Sequence, residues 1–167
     1  LIRYNGIMYT VTSDMFRRAM SHFATGFAVV TARGAEVYCG ETISALNSVS
    51  LDPLTLLVCL HRKSATCRAI EESGTFGLSI LNKAQQDMAM HFAGKSDGKS
   101  FDEYCVQSES GHFFVRDALV QIGVSVVETL RGGTHEIFLA QPVSIGFHPD
   151  QGSQPLLYFR GAFDLAA

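Results

Sequence analysis

Val120-Gln121-Ile122-Gly123-Val124-Ser125-Val126 alternates apolar with polar or small residues over a full strand, and Arg131-Gly132-Gly133-Thr134 follows a few residues later. Period-two alternation puts Val120, Ile122, Val124 and Val126 on one face. Paired glycines suit the backbone of a tight turn, so the second stretch reads as a hairpin, with Glu136 to Ile145 returning as the partner strand.

Outward from this hairpin, strands are expected at Phe27 to Thr31, Val37 to Asn47, Thr55 to Leu60, Phe76 to Leu81 and Leu156 to Phe159. Phe16, Ala19, Met20 and Phe23 fall at i, i+3, i+4 and i+7, which predicts a helix. Thr12 or Ser13 can cap it, Asp14 suits its positive end, and Gly26 is expected to end it. A short helix opens at Ser64 and closes before Gly74. Another runs from about Lys83 to Phe92, with Asn82 and Gln85 as a capping box and Gly94 as its stop. Lys95 to Val115 is polar and reads as an excursion with little regular structure. Many strands, two or three short helices and no βα alternation predict a mainly β fold, an antiparallel barrel rather than a doubly wound sheet.

The chain has 167 residues, 47% of them hydrophobic and 17% charged, with a formal net charge of -3. That fits a single domain spanning 1–167 with enough apolar surface for a core. Basic residues are scattered apart from Arg17-Arg18 and Arg62-Lys63, so a nucleic-acid partner is not indicated. No apolar run reaches the roughly 18 residues of a membrane span, and Leu1 to Gly6 lacks the form of a signal peptide. Cys39, Cys59, Cys67 and Cys105 are irregularly spaced with no C-x-x-C, which reads as reduced thiols in a cytoplasm.

There is no G-x-G-x-x-G, P-loop, H-E-x-x-H or G-x-S-x-G, and the six histidines show no ligand spacing. A hydrolase or metalloenzyme is therefore not indicated, and no metal is expected. Two stretches carry possible chemistry. In Thr42 to Ser50, the hydroxyls of Thr42, Ser44, Ser48 and Ser50 share one face if the strand is regular. Such a face can lie against a flat ring with polar edges; it can equally be a half-buried strand showing its polar side to water. His61-Arg62-Lys63-Ser64-Ala65-Thr66 joins two cations, two hydroxyls and a helix start, the makings of a phosphate cradle. The plainer alternative is that Ser64 caps the helix while Arg62 and Lys63 are solvated.

Several pieces then fall in a familiar order: Phe16-Arg17-Arg18-Ala19-Met20, Phe23-Ala24-Thr25-Gly26, Val29-Val30-Thr31, Ser48-Val49-Ser50-Leu51-Asp52-Pro53, Ser64-Ala65-Thr66, Phe76 to Leu81, His91-Phe92-Ala93 and Pro155-Leu156-Leu157-Tyr158. This ordered set, from Phe16 to Phe163, resembles the flavin reductase-like family, the small reductase components of two-component flavin monooxygenases. The resemblance implies a split β-barrel that binds FMN or FAD and reduces it with NADH or NADPH. It also implies a homodimer, with reduced flavin passed to a partner monooxygenase. By the same likeness, the strand carrying Thr42, Ser44, Ala45, Asn47, Ser48 and Ser50 lies along the flavin, and Lys63, Ser64 and Thr66 meet its phosphate. Phe92, Phe101 and Tyr158 lie near the flavin, and His135 lies near the nicotinamide.

Three departures stand out. The family's Gly-Asp-His reads Gly133-Thr134-His135, its run of small residues reads Ala45-Leu46-Asn47, and its Asp-Lys-Phe reads Lys99-Ser100-Phe101. Phe92 also fits a core position beside Met88, and His135 also fits an exposed hairpin residue. Hydride transfer from nicotinamide C4 to flavin N5 needs no triad or metal, which gives His135 an orienting role. The alternatives are a non-catalytic flavin-binding or electron-carrier module on the same barrel, a pyridoxamine-phosphate oxidase-like enzyme, and a structural β domain.

Overall fold

Side-chain alternation along Leu54–His61 sets the architecture. Leu56, Val58 and Leu60 are buried on one face, while Thr55, Leu57, Cys59 and His61 are part-covered on the other. A strand patterned this way needs a closed interior on one side only, and the neighbouring strands supply it.

In the computed structural model, residues 3–4, 7–8, 10–35, 37–95, 97–150 and 154–163 are described. Their strands are Arg3–Tyr4 (β1), Ile7–Met8 (β2), Thr25–Gly26 (β3), Ala28–Arg33 (β4), Tyr38–Ile43 (β5), Leu46–Leu51 (β6), Leu54–His61 (β7) and Thr75–Ile80 (β8). Cys105–Gln107 (β9), Phe113–Val115 (β10), Val120–Gly132 (β11), His135–Phe147 (β12), Leu157–Phe159 (β13) and Ala162–Phe163 (β14) complete them. The helices are Ser13–Met20 (α1), Ala65–Ser73 (α2), Gln86–Phe92 (α3) and Phe101–Tyr104 (α4), with a 3-10 turn at Lys83–Gln85.

Seven strands form an antiparallel sheet in the order β5-β4-β8-β11-β12-β7-β6. Since β5 and β6 are consecutive in sequence yet lie at opposite edges, the sheet has to curl until Ser44 and Ala45 bridge them. It does not close, which leaves a barrel split along that seam. Val30, Val58, Leu60, Leu78, Val124 and Phe138 fill the interior, and Cys67 and Ile70 of α2 close one end. A second core lies outside β4, where Val29 meets Leu81, Ala89, Phe92, Tyr104 and Leu156. Thus β4 is buried on both faces.

The hairpin expected at Arg131 to Thr134 is present, with Gly133 at φ 65° in its turn. Ser64 caps α2 by accepting the Cys67 N–H at 3.0 Å, and Gly74 ends it. Asn82 and Gln85 form their capping box on the 3-10 turn that leads into α3.

Elsewhere the structure differs from the sequence expectations. The strand expected at Val37 to Asn47 breaks at Ser44-Ala45, because its two halves pair with different neighbours, β4 and β7. Lys95 to Val115 holds α4, β9 and β10. Ser100 and Glu103 make a capping box that starts α4, a signal present in the sequence. With α4, the helices number four among the described residues. Thr12 caps α1 as expected, accepting the Met15 N–H at 3.2 Å, but the helix ends at Ser21, and Gly26 sits in β3. No residue of α1 is buried.

Candidate active site

A cleft of about 1230 Å³ opens beside the seam. Ser44, Ala45, Leu46 and Asn47 form one wall. Phe16, Arg17, Met20 and Phe23, on or just after α1, form another, and Thr134, His135 and Tyr158 close its ends. The seam explains the first wall: β6 is bonded only to β7, so its other edge keeps unpaired backbone groups among the described residues. The Ala45 carbonyl is already used, accepting the Cys59 N–H at 3.2 Å.

The cleft brings together Ser44, Ala45, Asn47, His135 and Tyr158 of the residues expected from sequence. Ser48 and Ser50, with Asn47, line a smaller adjoining pocket of about 350 Å³ walled by Leu51, Leu54 and Ile145. A register shift between Ser48 and Ser50, and the break at Ser44, mean that the four hydroxyls do not share a face. Thr42 turns instead to α3, its Oγ1 donating to the Ala89 carbonyl at 2.8 Å. Lys63 and Ser64 sit at the start of α2, where Lys63 is exposed and its carbonyl accepts from Arg68 at 2.8 Å. Thr66, in the first turn of α2, is buried, within hydrogen-bonding reach of Cys39. Phe92 is buried in the second core, and Phe101 stacks on Tyr38 with ring centroids 5.7 Å apart.

Sequence reasoning missed the contribution of α1 to the cleft, along with Thr25, Leu57 and Thr134. For α1 a signal was available, since its apolar stripe is clear. A stripe, however, says that one side wants cover without saying what supplies it.

At the end of the barrel, Glu136 is a buried carboxylate whose Oε1 lies 3.0 Å from Arg62 Nε and 3.7 Å from Arg131 Nε. Burying a carboxylate is costly unless it is paired, so these arginines belong to the carboxylate first. Among the described residues, that leaves Lys63 as the uncommitted cation of the loop. At the far end, Arg17 pairs with Asp14 at 2.9 Å, an exposed pair of little energetic weight. Burial pushes the Cys67 thiol up to about 11 and the Cys105 thiol up to about 12, and raises those of Cys39 and Cys59 too. None of the four is a ready nucleophile near neutral pH. Among the described residues no cluster could hold a metal ion, and no helix is long and apolar enough to cross a membrane.

The donors present fit a flavin. A ring with carbonyls along one edge needs backbone donors on one wall, and the free edge of β6 beside Ser44 and Ala45 offers them. The cleft's volume of about 1230 Å³ leaves room for a second ring. Comparison with known proteins agrees with this chemistry: residues 20–166 match the flavin reductase like domain, and the chain belongs to that family. It is 37% identical over 148 residues to the reductase component of a 4-nitrophenol 4-monooxygenase/4-nitrocatechol 2-monooxygenase from Rhodococcus opacus, covering 89% of this chain and 78% of that protein. It is 34% identical over 152 residues to an NADH-dependent FMN reductase from Streptomyces nodosus subsp. asukaensis, covering 89% and 82%. Among solved structures, the NADH:FAD oxidoreductase of Streptomyces globisporus C-1027, in complex with NAD and FAD fragments, superposes with a TM-score of 0.83 at 29% identity, over 92% of each chain.

Proposed function

We propose that the chain is an NADH-dependent flavin reductase that supplies reduced FMN or FAD to a flavin-dependent monooxygenase. The observation that carries this reading is the convergence of Ser44, Ala45 and Asn47 with His135 in one cleft. When bound, the flavin and the dinucleotide supply the hydride chemistry, from nicotinamide C4 to flavin N5.

The protein's task is to align two rings and keep water away from them. Backbone N–H groups on the free edge of β6 donate to the flavin carbonyls and hold the negative charge that reduction adds. Ser44 and Asn47 add side-chain hydrogen bonds. Phe16, Met20, Phe23 and Leu57 form the dry walls. Tyr158 flanks the ring, and His135 orients the nicotinamide carboxamide. Lys63 and the first-turn N–H groups of α2 receive the phosphate, with Ser64 fixing the helix start. Thr42, Thr66, Phe92 and Phe101 serve this site from behind, by packing the strand and the loop. Ser48 and Ser50 extend the same wall into the adjoining smaller pocket.

A second copy of the chain completes the assembly as a homodimer, which gives the apolar face of α1 its cover. Four cysteines kept as thiols fit a reducing compartment, the cytoplasm.

The deciding experiment follows NADH oxidation by the purified protein with FMN or FAD added separately. Turnover that depends on added flavin is expected. Flavin binding, seen as fluorescence quenching, without any NADH oxidation would overturn the reading in favour of a carrier.

A further inference from the structure

His61 ends β7, His135 begins β12, and the two are direct partners in the antiparallel register. Their side chains therefore project from the same face of the sheet. The rings meet edge to face, with centroids 5.3 Å apart and planes at 81°. His61 is itself pinned: its Nδ1 accepts the Lys63 backbone N–H at 3.2 Å, which places the proton of the neutral ring on Nε2. His135 Nδ1 lies 3.0 Å from Thr134 Oγ1, and the Thr134 carbonyl accepts the Arg62 N–H at 3.1 Å. On the opposite, buried face, Glu136 ties Arg62 to the same strand at 3.0 Å. The 61–64 loop and the 132–135 turn are thus fastened together on both faces of the sheet.

His135 lines the cleft and His61 does not. An exposed imidazole at a hairpin end, held by one hydroxyl, still has a ring rotation to lose when a ligand binds. A second ring packed against it removes that freedom beforehand, and preorganisation of this kind appears as ligand affinity. We propose that His61 is a positioning residue: its ring, anchored by Lys63, fixes the His135 imidazole in the orientation that receives the nicotinamide. The proposal rests on the reading of His135 as the nucleotide-orienting group.

The test is steady-state kinetics on the wild type, His61→Ala, His61→Phe, His135→Ala and the double variant His61→Ala/His135→Ala, with saturating flavin and varied NADH. An edge-to-face ring contact of ordinary strength corresponds to a rise of about three- to tenfold in KM for NADH in His61→Ala, with kcat and the KM for flavin near wild type. His61→Phe keeps a ring edge but loses the Lys63 anchor, and should recover part of the loss. In the double variant KM should match His135→Ala alone, because a residue that acts through His135 has nothing left to position. An unchanged KM in His61→Ala, whatever its melting temperature, overturns the proposal, as does full additivity in the double variant. Wild-type protein without flavin-dependent turnover would instead sink the proposed function. A His135→Ala variant equal to wild type would sink the role of His135. Either result takes this proposal with it, whereas an impaired His135→Ala beside an unimpaired His61→Ala isolates the failure to His61.

Discussion

Neighbouring residues His135 and Glu136 do opposite work because a strand sends them to opposite faces: His135 meets the cleft, and Glu136 sits 6% exposed inside the barrel end. Sequence alone singled out His135 through a family resemblance, and gave Glu136 no role beyond opening the return strand. Only the pairing of β12 with β7 reveals that Arg62 waits on the same inner face. Asp97 is another polar residue whose weight lies in its partners. It accepts hydrogen bonds from the Tyr104 hydroxyl and, at 3.2 Å, from the Lys99 N–H, and its Oδ1 lies 2.8 Å from His91 Nδ1. The Tyr104 hydroxyl is the main reason its carboxyl is lowered from 3.8 to about 2. A carboxyl lowered in the folded state stabilises above its unfolded value and loses that contribution as pH falls through the folded one. Asp97→Asn should therefore lower Tm at neutral pH, and its gap from wild type should close between pH 3.8 and about 2. Thermal melts across that range check this, and a gap that stays constant would show that charge is not the cause.

Element boundaries follow the same division between local and distant causes. Ser64, Gly74, Asn82 and Gln85 mark helix ends by hydrogen bonds to residues a few positions away, so they were legible. The break between β5 and β6 was not, since Thr42 to Ser50 contains no glycine or proline to announce it. It exists because β5 pairs with β4 and β6 with β7, a matter of topology. Phe92 illustrates the cost at the site: it packs where Gly40 leaves room, a Cβ on residue 40 falling 2.8 Å from its ring. Gly77 likewise marks a crossing. A Cβ there would lie 2.0 Å from the Phe113 carbonyl oxygen and 2.7 Å from Thr31 Oγ1, so β10 lies directly on β8 at this point. Gly77→Ala should force backbone apart rather than a flexible side chain, at a cost of about 1–3 kcal/mol or more. Urea denaturation measures it, and a midpoint equal to wild type would contradict the close approach.

For the molecule as a whole, α1 poses the question of what covers its apolar face. Eight residues are too few to hold a helix in water on their own, and none of the eight is buried. Phe16 and Met20, and Phe23 just beyond, are 62%, 51% and 68% exposed. A second uncovered apolar area lies at Leu51, Leu54 and Ile145, 82%, 53% and 52% exposed, which line the smaller pocket. Patches of this kind on one molecule mark surfaces that meet a partner, and full burial of such side chains is worth about 1.5–3 kcal/mol each. In the homodimer reading, the second copy covers α1 and so holds one wall of the flavin cleft in place. Val11 and Met15 share the apolar character of α1 but do not line the cleft, which makes them the clean probes. Sedimentation equilibrium should give twice the chain mass for wild type. Val11→Asp/Met15→Asp should shift the protein towards monomer and weaken flavin binding together, because an uncovered α1 unravels and takes Phe16 and Met20 with it. A wild type that sediments as a monomer with tight flavin binding would mean that the ligand alone covers the helix, and that the cleft is complete within one copy.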